Sequence, residues 1–78
     1  MIYCELKEKH KTFAIYKFGT TTENMSGEMA VFSSFVEPHI IKQPDSTKVP
    51  NSWINKVIVK YKEQLLSGIF PPKMSFER

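Results

Sequence analysis

The chain has 78 residues, 41% hydrophobic and 13% aromatic, with 11 basic and 8 acidic side chains for a net charge of +3. That length suits one domain with a modest core, and that composition excludes a disordered chain. The mild basic excess permits nucleic acid or an acidic partner and demands neither.

Cys4 is the single cysteine, which excludes an internal disulfide framework. Small secreted domains usually need such staples, so the expected compartment is the cytoplasm. The opening residues, MIYCELKEKH, carry charge by Glu5 and do not read as a signal peptide. No stretch approaches the roughly 20 apolar residues of a membrane span, so no membrane partner is expected.

In chain order, residues 2–7 alternate, with Ile2, Cys4 and Leu6 against Tyr3, Glu5 and Lys7, as a half-buried strand does. Glu8 to Lys11 reads as a polar turn, and residues 12–18, TFAIYKF, as a second strand. A four-residue loop would pair Leu6 with Phe13, Cys4 with Ile15 and Tyr3 with Tyr16. Ile2, Cys4, Leu6, Phe13 and Ile15 then make the core face, and Tyr3, Lys7, Tyr16 and Phe18 share the other.

Residues 20–27 form a polar loop, and 28–33, EMAVFS, a third strand. Ser34 to Glu37 connects it to a short fourth strand, Pro38 to Lys42, completing a second hairpin. The alternative is one strand from Glu28 to Val36 followed by irregular chain. Gln43 to Pro50, with two prolines, reads as a loop.

Asn51 to Gly68 carries a helical period. Ile54, Val57, Ile58, Tyr61 and Leu65 fall within an arc of about 100°, the width of a core-facing stripe. Asn51 or Ser52 can cap the start, Gly68 can end the helix in the left-handed conformation, and Pro71 and Pro72 forbid a restart. Val59 and Leu66 form a second apolar stripe away from that arc. The tail, 69–78, adds Ile69, Phe70, Met74 and Phe76, enough apolar surface to dock at least in part.

The expected fold is one α+β domain over 1–78: an antiparallel sheet of three to four strands in two hairpins, packed on one C-terminal helix in ββββα order, with an extended tail.

No chemistry-bearing motif stands out. Cys4, His10 and His39 are scattered without metal-ligand spacing, and Cys4 lies on the core face, where a thiol is inert. The three glycines read as punctuation rather than a phosphate loop. No catalytic residue, metal, cofactor or small-molecule substrate is inferred.

Two surfaces remain. Val59, Leu66, Ile69 and Phe70 form a candidate protein interface, for a second copy or another protein, unless the tail folds back over the stripe. Tyr3, Tyr16, Phe18 and Lys7 form a candidate aromatic and basic sheet face that could stack single-stranded bases; its plainer reading is a cross-strand tyrosine pair. The protein-interaction reading comes first and nucleic acid second.

Overall fold

The computed structural model of the chain describes residues 1–34, 37–45 and 48–77. Its elements are β1 (Ile2–Lys9), β2 (Phe13–Gly19), β3 (Gly27–Phe32), β4 (His39–Lys42), α1 (Asn51–Lys60), α2 (Lys62–Leu66) and β5 (Lys73–Phe76). The strands form one antiparallel sheet in the order β4-β3-β2-β1-β5. The α+β class and the run of four strands before the helix are as the sequence predicts. The second hairpin is present as β3 and β4. Residues 35–36 of its connection and 46–47 of the following loop lie outside the described residues, as does Arg78 at the end of the tail.

The first hairpin corrects the expected register. Leu6 pairs with Tyr16 and Cys4 with Phe18, and a bulge at Lys7 lets β1 continue to Lys9. Relative to the expected pairing, β2 has slid by an odd number of residues. Because side chains alternate with period 2, that slide exchanges the two faces of β2. Ala14, Tyr16 and Phe18 therefore turn inward and are buried, while Phe13 and Ile15 stay half-buried on the other side.

The inward face collects Ile2, Cys4, Ala14, Tyr16, Phe18, Met29, Val31 and Met74. Ile54, Val57, Ile58 and Leu65 close over it from the helical segment, with Val49 and Phe70 filling the margins. Each large side chain fully buried there contributes about 1.5–3 kcal/mol before entropy. Gly27 stands against the Phe18 ring, and a Cβ there would collide with that ring and with Pro44.

The helix breaks its regular pattern at Tyr61, so one expected element becomes two. No side chain caps its start, which follows directly from Pro50. Its end is a Schellman motif: Gly68 takes φ +82°, its N–H donates to the Leu65 carbonyl, and that of Ile69 to the Gln64 carbonyl. The loop ahead of the helix is pinned by Gln43, whose side-chain amide both donates to and accepts from the backbone of buried Val49.

The tail docks as a strand. β5 pairs with β1 from Ile2↔Phe76 to Glu5↔Lys73. The buried Tyr16 hydroxyl donates to the Pro71 carbonyl at 2.6 Å, and the Leu6 N–H to the Pro72 carbonyl at 2.9 Å. Within β5, the Ser75 carbonyl accepts from Lys60 Nζ at 2.9 Å and its N–H donates to the Tyr61 hydroxyl at 3.4 Å. Helix side chains thus occupy hydrogen-bonding groups that an edge strand would otherwise offer to a foreign strand.

This register makes an asymmetric prediction for urea unfolding. Phe18→Ala costs about 3–5 kcal/mol, as a cavity under the helix does. Phe13→Ala, on the far face, costs about 1 kcal/mol, the worth of a cross-strand aromatic contact. Equal costs would contradict the pairing.

Candidate functional site

With the helix on one face, the opposite face of the sheet is uncovered by any described helix. One row of it crosses all five strands through the observed pairings: Lys73, Glu5, Lys17, Glu28 and Lys42. Charges of opposite sign therefore alternate across the row. Lys17 meets Glu5 at 3.1 Å. Lys7, outward like Tyr3 and Glu5, reaches Glu28 at 2.8 Å. That hydrogen bond raises the Lys7 ammonium above its ordinary range and lowers the Glu28 carboxyl below its own.

Rings gather at the end of the same face nearest the first turn. Phe13 pairs with Phe32 across β2 and β3, with centroids 5.5 Å apart. His10, exposed in the turn, stacks on Phe13 at 4.4 Å and 16°. A shallow cleft beside Phe32 is lined by Glu37, Pro38 and His39.

The aromatic and basic cluster expected from Tyr3, Tyr16, Phe18 and Lys7 is not assembled. Tyr16 and Phe18 are wholly buried on the helix side, while Tyr3 and Lys7 stay on the other. Besides Tyr3, the open face carries Phe13 and Phe32, joined by His10. Phe13 was assigned to the core by a register that hydrophobicity alone could not choose, because both sets of alternate residues in TFAIYKF carry rings.

The apolar helical surface fares differently. Val59 is 66% exposed, Leu66 48% and Ile69 56%. Phe70 is 5% exposed and belongs to the core, so it leaves the expected set. The tail leaves along the sheet edge and does not cover Val59 or Leu66. From the described tail, Phe76 lines a shallow groove with Val59, Asn55, Lys56 and Lys60. Lys56 Nζ stands 6.0 Å from the Phe76 ring centre. Lys60 Nζ donates to the Ser75 carbonyl beside the same groove.

Cys4 is buried, and burial pushes its thiol from 9.0 to about 12. A thiol so held is a poor nucleophile at neutral pH. Among the described residues, no group of three or more His, Cys, Asp or Glu is placed to hold a metal ion, and no helix is long and apolar enough to cross a membrane. Comparisons with protein-family models, curated proteins and solved structures returned no match for this chain.

The buried thiol and phenol give a pH signature. Burial raises Cys4 to about 12, and burial, with a smaller contribution from Cys4, raises Tyr16 above its ordinary 10.0. The unfolded chain therefore loses these protons at lower pH than the native one. Stability falls as pH climbs through 9.0 toward about 12. In urea melts across that range, Cys4→Ala is expected to show a shallower decline than the native chain; parallel declines would contradict the assignment.

Proposed function

We propose that the protein is a small non-catalytic interaction module, working in the cytoplasm, that engages another protein chain through Val59, Leu66 and Ile69. The observation that carries this reading is the exposure of those three side chains while the chain's own apolar tail is spent on the sheet. A helix packed by one stripe gains nothing within its own fold from a second. A domain of this size also draws much of its stability from whatever further apolar surface a partner buries.

A second copy is the first partner to test, since two-fold homodimers are the commonest use of such a patch. Sedimentation at about 100 µM is the measurement. The native chain is expected to run as a dimer whose unfolding midpoint rises with protein concentration, and Leu66→Asp as a folded monomer whose midpoint does not. A strict monomer whose mass Leu66→Asp leaves unchanged would remove self-association.

A further inference from the structure

We propose that the open face of the sheet binds single-stranded nucleic acid. Bases stack on the platform of His10, Phe13 and Phe32, and the phosphate backbone runs over Lys17, Lys42 and Lys73. This site lies on the face away from the helical stripe and does not depend on it.

The rings point to bases. Phe13 and Phe32 face away from the core, are half-buried, and sit beside exposed His10, whose ring stacks on Phe13. Aromatic rings on an open sheet are a stacking platform for unpaired bases, and every base offers the face they need. A duplex hides those faces.

The charges point to phosphate. The row across the sheet has three lysines against two glutamates; Lys7 at the bulge adds a fourth positive charge, and Glu8, opposite Ile15 and 3.6 Å from the His10 ring, a third negative one. Lys42 and Lys73 stand at the two ends of the row and make no ion pair among the described residues. The internal pairs, Lys17 with Glu5 and Lys7 with Glu28, are exposed enough that exchange of a carboxylate for a phosphate costs little. The glutamates hold the lysines upright between visits and keep affinity low. Phe32 and Glu28 are four residues apart on β3, about 13 Å at the rise of a strand, so a short oligonucleotide spans rings and lysines together.

Fluorescence anisotropy of a labelled oligo(dT) of about 12 nucleotides tests this. The native chain is expected to bind with a micromolar Kd at about 50 mM salt and about 20-fold more weakly at about 200 mM, the loss for three phosphate contacts on a single strand. Phe13→Ala weakens binding about 5- to 100-fold, as loss of a stacked base does. Lys42→Glu weakens it and flattens the salt dependence. Val59→Asp leaves it unchanged, which separates this site from the helical interface. Lys42 is exposed and outside the core, so its variant tests the site without the loss of stability that Phe13→Ala brings. No anisotropy change up to about 100 µM protein overturns the proposal. So does equal binding of a duplex, or binding that both Phe13→Ala and Lys42→Glu leave intact.

Discussion

Tyr16 and Phe18 lie between the sheet and the helix, and their burial decides the orientation of everything else. Among the described residues they are the largest wholly buried side chains, and they come from the middle strand of the sheet. Once they turn inward, period-2 alternation sends Phe13, Ile15 and Lys17 outward. The bulge at Lys7 reconciles the two strands: without it, a strand continuing to Lys9 would carry its first and last residues in conflicting registers. Lys7 faces outward by alternation with Tyr3 and Glu5, where it meets Glu28, and the bulge after it brings Glu8 opposite Ile15 on the same face.

The same burial organises the tail. A phenol removed from water needs a hydrogen-bond acceptor, and the Pro71 carbonyl provides it. That bond and the one from Leu6 to Pro72 fix the chain where two prolines have already stiffened it. The tail is delivered to the edge of β1 in extended form, and Met74 drops into the core beside Cys4. Lys60 and Tyr61 then engage Ser75 from the helix. The consequence for function follows from geometry: a tail used as the fifth strand cannot cover Val59 and Leu66 as well.

The helix was legible in the sequence because a 3.6-residue period, a glycine at the end and a double proline all agree. Its inward arc is the arc that packs, and Gly68 adopts the left-handed turn. The second hairpin was legible from Pro38 and the apolar pair after it. The first hairpin was legible as a hairpin but not in register. TFAIYKF is amphipathic in neither sense: rings stand at Phe13, Tyr16 and Phe18, so burial alone favours neither face, and the turn has no Asn-Gly or Asp-Gly to set the count. The space beneath the helix made the choice, and sequence alone does not contain it. The fifth strand was hidden because KMSF is short and follows a double proline. The exposed stripe of Val59 and Leu66 was visible on the helical wheel; its companion Phe70 was not separable from Ile69 until the strand direction of the tail was known.

The account rests on the pairing of the first two strands, and cross-strand nuclear Overhauser effects measure it directly. It predicts contacts between Cys4 and Phe18, between Leu6 and Tyr16, between Glu5 and Lys17, and between Glu8 and Ile15 across the bulge. Contacts of Leu6 with Phe13 and of Cys4 with Ile15 would put Tyr16 and Phe18 on the open face and contradict it.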